Sequence, residues 1–150
     1  MTDAKDYLKS FKREEAIIQL KSRQLQSLRD RLQSISVPMD KEQVSHTKNV
    51  EVMSETIALI VDMEKEIDQQ TTKLIESKRK AYRLFDKINP NSAVLLMDRY
   101  MEGKKNSMIC EERFITDRHL RRLMSEAIRE LQIILNQMEQ DQESCPEMSG

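Results

Sequence analysis

Arg118, His119, Arg121 and Arg122 fall within little more than one helical turn, in a 150-residue chain whose formal net charge is only −1. A guanidinium can take guanine O6 and N7 through two parallel hydrogen bonds, or clamp a phosphate in the same manner. At helical spacing, positions 118, 121 and 122 share a face. Catalysis finds no comparable cluster. Glu111 and Glu112 are adjacent and point in different directions on a helix, and no nucleophile motif or glycine-rich loop stands near a His or a carboxylate. Cys110 and Cys145 suggest no disulfide framework, and neither has a metal-ligand partner at useful spacing; the other candidate ligands, His46 and His119, stand apart. The expectation is a chain that is not an enzyme and that carries no metal and no cofactor.

The elements that must position this cluster are dictated by composition. Only 2 Gly and 3 Pro occur, charged residues make up 34%, hydrophobic ones 38% and aromatics 4%, with no Trp. Such a chain lacks the turn residues of an all-β fold and the glycines of a phosphate-cradling Rossmann-type enzyme. It reads as all-α, with long helices that expose charged faces and bury narrow apolar seams. The chain opens without an apolar leader and holds no apolar run long enough to span a membrane, so a soluble, cytoplasmic protein is expected.

From Asp3 to about Gln33, Phe11, Ile18, Leu25 and Leu32 recur at heptad spacing, with Leu28 and Ile35 on the adjoining row. Glu14 and Lys21 occupy row positions where apolar residues are expected. Ser34 to Lys48, with Pro38, reads as a loop. A second helix over about Val50–Ile88 carries Met53, Ile60, Ile67, Leu74, Ala81 and Ile88, with Ile57 and Phe85 on the neighbouring row and Glu64, Thr71 and Lys78 interrupting it. At 1.5 Å per residue it would be roughly 57 Å long. Residues 1–88 are therefore expected to form a long antiparallel helical hairpin, coiled-coil-like, or to pair with a second copy as a homodimer.

Asn89-Pro90-Asn91-Ser92 ends that helix, because the residue before a proline is pushed out of the α region. Asn91 or Ser92 can cap a short helix running to about Met101. Gly103 marks a turn with a left-handed residue, Ser107 to about Arg113 form another short helix, and Thr116 caps a last helix from Asp117 to about Gln140. Residues 89–140 thus form a small helix-turn-helix domain, and the acidic stretch 141–150 is expected to be disordered. With Cys110 at the close-crossing small position, Ile109, Ile115, Leu120 and Leu123 fall on apolar sites of the motif. Arg113 replaces an apolar residue. Phe114 replaces the usual turn glycine, and is expected to turn inward over the core with a longer or differently shaped turn.

The stretch Ala93-Val94-Leu95-Leu96-Met97-Asp98-Arg99-Tyr100-Met101-Glu102-Gly103-Lys104 resembles the start of the sigma-factor region 4 helix-turn-helix. That family shows a Leu-rich helix ending in Arg-Tyr, a glycine three residues on, and an Ile-Ala pair opening the next helix. Here these are Arg99-Tyr100, Gly103 and Ile109-Cys110, and Arg118, Arg121, Arg122, Leu123, Ala127 and Leu131 continue the similarity. The coiled first half joined to such a domain resembles phage-encoded, sigma-like transcriptional regulators of the ArpU/RinA type. The resemblance is carried by about residues 90–135, and implies a DNA-binding phage or prophage regulator that could contact RNA polymerase.

On that reading Arg118, Arg121 and Arg122 meet base edges or phosphate in double-stranded DNA, His119 and Thr116 assist, and Lys104 and Lys105 meet backbone phosphate. Lys73, Lys78, Arg79, Lys80, Arg83 and Lys87 form a second basic cluster, equally explained as a solvated face or as flanking phosphate contacts. Cys110 and Tyr100 are expected to be packing residues, and the ten methionines to fill irregular seams. Two other functions fit the same elements: a coiled-coil adaptor that binds protein only, and a phage DNA-packaging subunit of the small-terminase kind.

Overall fold

The computed structural model describes residues 2–36 and 46–144, and every regular element in them is helical. Helix α1 spans Ala4–Ser36, α2 His46–Phe85, α3 Pro90–Leu96, α4 Asn106–Arg113 and α5 Asp117–Ser144. The fold is all-α, as the scarcity of glycine and proline requires. Ser34–Ser36 and His46–Lys48, expected in a loop, are helical instead. Pro38 and residues 145–150, with Cys145, lie outside the described residues. Helix α5 runs on through Ser144, so residues 141–144 of the stretch expected to be disordered are helical.

By its contacts the chain divides into two units, residues 15–75 and residues 1–14 with 76–150. In the first unit the two helices form an antiparallel hairpin. Lys21 is ion-paired with Glu66, and Arg29 Nη2 lies 2.8 Å from Glu64 Oε1, so rising numbers on α1 meet falling numbers on α2. These pairs account for polar residues in an otherwise apolar seam: each bridges to the facing helix. Exposed pairs of this kind contribute no more than about 1 kcal/mol. The apolar rows supply the rest, at about 1.5–3 kcal/mol for each fully buried large side chain.

Leu25, Ile60 and Leu74 are buried in this unit, and Ile18, Leu28, Leu32, Ile35, Met53 and Ile67 are partly buried. The second row of α2 is met in part: Phe85 is buried and Glu64, Thr71 and Lys78 are partly buried. Ile57, however, is 45% exposed while its neighbour Thr56 is 5% exposed, with Met63 and Gln70 partly buried beyond it. Thr56 can occupy the seam because its hydroxyl donates to the Val52 carbonyl at 2.7 Å, leaving no unpaired donor.

The second unit gathers the two ends of the described chain. Ala4, Leu8 and Phe11 of α1, Ala81, Leu84 and Phe85 of α2, and Leu120, Ala127, Leu131 and Leu135 of α5 are all buried. Polar bonds fix the start of α1 on α5. The Ala4 N–H donates to Gln132 Oε1 at 2.7 Å, Gln132 Nε2 donates to the Thr2 carbonyl at 2.7 Å, and the Thr2 N–H donates to Glu139 Oε1 at 2.8 Å. The first four N–H groups of a helix have no partner within it, so α5 side chains complete the end of α1. Residues 1–14 thereby group with the small domain expected for 89–140.

Candidate nucleic-acid interface

The site is built on a small three-helix core in which Leu95 of α3, Ile109 of α4 and Leu120 of α5 are buried together. Cys110, Ile115, Leu123 and Met124 pack against them. Cys110 therefore serves as a packing residue, and the apolar sites read from sequence converge as one cluster.

Each helix of this core starts from an identifiable local cause. Asn89, rather than Asn91 or Ser92, caps α3: its side chain accepts from the Asn91 N–H at 2.9 Å, with Pro90 as the first helical residue. Glu130 of α5 reaches the same end, accepting from the Asn89 N–H at 3.2 Å and from the Ser92 hydroxyl. Helix α3 passes into one π-helical turn over Met97–Met101, where the Glu102 N–H donates to the Met97 carbonyl at 2.9 Å. Gly103 follows at φ 72, the left-handed residue its position calls for. In that π turn, Arg99 lies 5.7 Å from the ring centre of half-buried Tyr100, and burial pushes the Tyr100 hydroxyl above its ordinary pKa.

The link from α4 to α5 is Phe114-Ile115-Thr116. Phe114 adopts φ 55, ψ 46, and its N–H donates to the Cys110 carbonyl, which also accepts from the Ile115 N–H at 3.1 Å. A phenylalanine thus holds the left-handed turn that glycine fills most easily. The inward ring expected from sequence is overturned: Phe114 is 95% exposed. The ring does not join the Leu95–Ile109–Leu120 cluster, and the next residue, Ile115, packs against it instead. A non-glycine residue in this region costs about 1–2 kcal/mol, and exposing the ring forgoes another 1.5–3 or so. Arg113 is half-buried rather than misplaced, with its Nη2 3.5 Å from Asp98 Oδ2.

Thr116 caps α5, its hydroxyl oxygen accepting from the His119 N–H at 3.1 Å. Thr116, Arg118, His119 and Arg122 together line an open depression at this helix start, and all four are exposed. Arg121 is not in that lining; its Nε lies 2.9 Å from Asp117 Oδ2. The exposed side chains Arg118, Arg122, Ser125 and Arg129 recur at i, i+4, i+7 and i+11, one stripe about 16 Å long. Arg129 was not singled out from sequence, although continuing the 118/122 row by two turns reaches it.

The two lysines of the preceding turn behave differently. Lys104 Nζ lies 3.2 Å from Glu112, 3.6 Å from Glu102 and 3.8 Å from Asp98. The hydrogen bond to Glu112 pushes its pKa up, with the carboxylate charges adding to the effect, so its charge serves to close the Gly103 turn. Lys105 is exposed. In the same unit, Arg79, Lys80, Arg83 and Lys87 are exposed near the end of α2.

Comparison of the chain with family models, with curated proteins and with solved structures finds no match. The site therefore rests on its own chemistry. Arg118 and Arg122 each present five N–H donors in a fixed fork, and the positive end of the α5 dipole adds to their field. An anionic, acceptor-rich ligand suits them. Among the described residues no group of three or more His, Cys, Asp or Glu side chains is arranged to hold a metal. No helix of those residues is long and apolar enough to cross a membrane.

Proposed function

We propose that this chain is a DNA-binding transcriptional regulator, in which α4 and α5 act as a helix-turn-helix and the N-terminal half of α5 lies in the major groove. The observation that carries this reading is the joint burial of Leu95, Ile109 and Leu120 with Cys110 packed against them, which leaves the capped start of α5 exposed with Arg118, His119 and Arg122 around it. Arg118 and Arg122 read base edges or clamp phosphate; Arg129 extends the same stripe along the groove, and Lys105 meets the backbone. Lys104, engaged by three carboxylates, contributes through the turn. The resemblance to sigma region 4 of phage regulators agrees in kind with this arrangement, and would place the protein in the cytoplasm, without catalytic activity or cofactor.

The test is a gel-shift or anisotropy titration with duplex fragments of the source genome across a salt series. Binding that weakens steeply with salt, and that disappears when Arg118, Arg121 and Arg122 are changed together to Ala while helix content is kept, supports the reading. Unchanged affinity in that variant overturns it.

A second reading, a protein-binding adaptor, is favoured by one observation in the hairpin. Val50, Ile57 and Val61 are 54%, 45% and 41% exposed and fall on one stripe of α2. Sedimentation of the purified chain, with and without Ile57→Lys and Val61→Lys, separates self-association through this stripe from a monomer.

A further inference from the structure

We propose that Phe114 is an apolar base-reading residue, which docks on a thymine methyl group of duplex DNA at the mouth of the groove entered by α5; this rests on the DNA-binding reading above. Neither the backbone nor the core makes use of the ring. At φ 55 the turn is easiest for a residue without Cβ, and its two hydrogen bonds, from the Phe114 and Ile115 N–H groups to the Cys110 carbonyl, are main-chain bonds that glycine would make equally well. The ring itself is 95% exposed, so it contributes almost nothing to the Leu95–Ile109–Leu120 cluster.

The surroundings decide the class of partner. Phe114 begins the three-residue link to α5, and just beyond it Thr116, Arg118, His119 and Arg122 border an open depression. Lys105, at the opposite end of α4, is exposed as well. An apolar anchor for a protein partner sits in an apolar patch depleted of charge. This one lies in a charged surface, where exposed Glu112 and Asp117 are ion-paired with Lys104 and Arg121 and Glu111 stands on α4. Arg118 and Arg122 border the depression and make it complementary to a polyanion. A helix that enters the major groove presents its N-terminal residues to base edges. Those edges carry donors and acceptors and a single kind of apolar group, the thymine C5-methyl. An aromatic ring held at the start of that helix has this methyl as its matching contact.

The test uses the full chain and a random-sequence duplex library, with selection by the unaltered protein and by Phe114→Gly in parallel. Glycine suits φ 55, so the variant folds, and equal helix content by circular dichroism verifies it. In the duplex the unaltered chain enriches, each thymine is replaced singly by deoxyuridine, which deletes only the methyl. The expected result is one position at which this replacement weakens binding about four-fold, the worth of one buried carbon, with Phe114→Gly indifferent to it. Equal sensitivity of both proteins at every thymine, or none in either, overturns the role of Phe114 while leaving DNA binding standing. If the library yields no salt-sensitive binder at all, both readings fall. Loss of retention on purified RNA polymerase by Phe114→Gly, with DNA selection unchanged, overturns the proposal in favour of a protein interface.

Discussion

Asp117 Oδ2 lies 2.9 Å from Arg121 Nε, one turn back along α5, while Arg118 and Arg122 border the open depression with His119. Three arginines that look equivalent in sequence are therefore not equivalent in charge. Arg121 must leave a carboxylate before it can meet DNA, and that carboxylate itself repels phosphate. Single changes Arg118→Ala and Arg122→Ala are expected to weaken binding about 5- to 150-fold each, and Arg121→Ala less. Asp117→Asn is expected to strengthen it. Anisotropy titrations over a potassium chloride series decide this, and an Arg121→Ala loss as large as the other two would contradict it.

Phe114→Gly also carries a stability expectation, separate from any ligand. Removing a Cβ from the left-handed region relieves about 1 kcal/mol, which for a chain of this size raises the melting midpoint by about 2–4 °C. Calorimetry of the two proteins reads it directly. A lower midpoint in the glycine variant would mean that the ring is packed rather than exposed.

Thr116→Ala removes the oxygen that accepts from the His119 N–H, and is expected to destabilise the chain by about 1 kcal/mol, with Thr116→Ser close to neutral. The same change should loosen the first turn of α5 and lower DNA affinity. Amide exchange at His119, faster in the alanine variant and normal in the serine one, is the discriminating measurement.

The helical rows show how far residue spacing reaches. Phe11, Ile18, Leu25 and Leu32, and Met53 through Ile88, are buried or partly buried as their seven-residue period requires. On the second row of α2, Phe85 is buried as its spacing requires, but the exchange of Ile57 for Thr56 was not legible, because hydrophobicity favours the isoleucine. Ile109, Ile115, Leu120 and Leu123 were legible as one core because their spacing and the small Cys110 constrain one another. The orientation of Phe114 was not, since apolar character argues for burial. Nor was the pairing of the start of α1 with α5, because it is made by hydrogen bonds from Thr2 and Ala4 to Glu139 and Gln132, residues far apart in sequence with no periodic signal to link them.

Gln70 supplies a test of the hairpin unit. Its Oε1 is buried without a hydrogen-bond partner among the described residues, and an unsatisfied buried acceptor costs about 1–3 kcal/mol. Gln70→Leu is therefore expected to raise the denaturant midpoint. A lower midpoint would show that the amide is satisfied in solution.

The clamp at the start of α1 responds to acid. Hydrogen bonds from the Thr2 side chain and N–H hold the Glu139 carboxyl below its ordinary range. A carboxyl with a depressed folded pKa stabilises above its unfolded value, and that contribution disappears as pH falls through the folded one. Exchange protection of the first turns of α1 should accordingly decline on acidification, and Glu139→Gln should remove that decline. Phe11→Ala, which deletes a ring 1% exposed, is expected to destabilise the chain by about 3–5 kcal/mol at any pH.

That same clamp joins Thr2 to Glu139, residues separated by 137 positions. On the ribosome Leu8 and Phe11 emerge long before the α5 side chains that accompany them in the finished unit, and remain without those partners until nearly all of the described chain has been made. A chain cut short before Gln132 therefore lacks the two side chains, Gln132 and Glu139, that complete the start of α1. Such contacts between distant positions form late and slowly in folding, so the unit that bears Arg118 and Arg122 is completed only once α5 has been made.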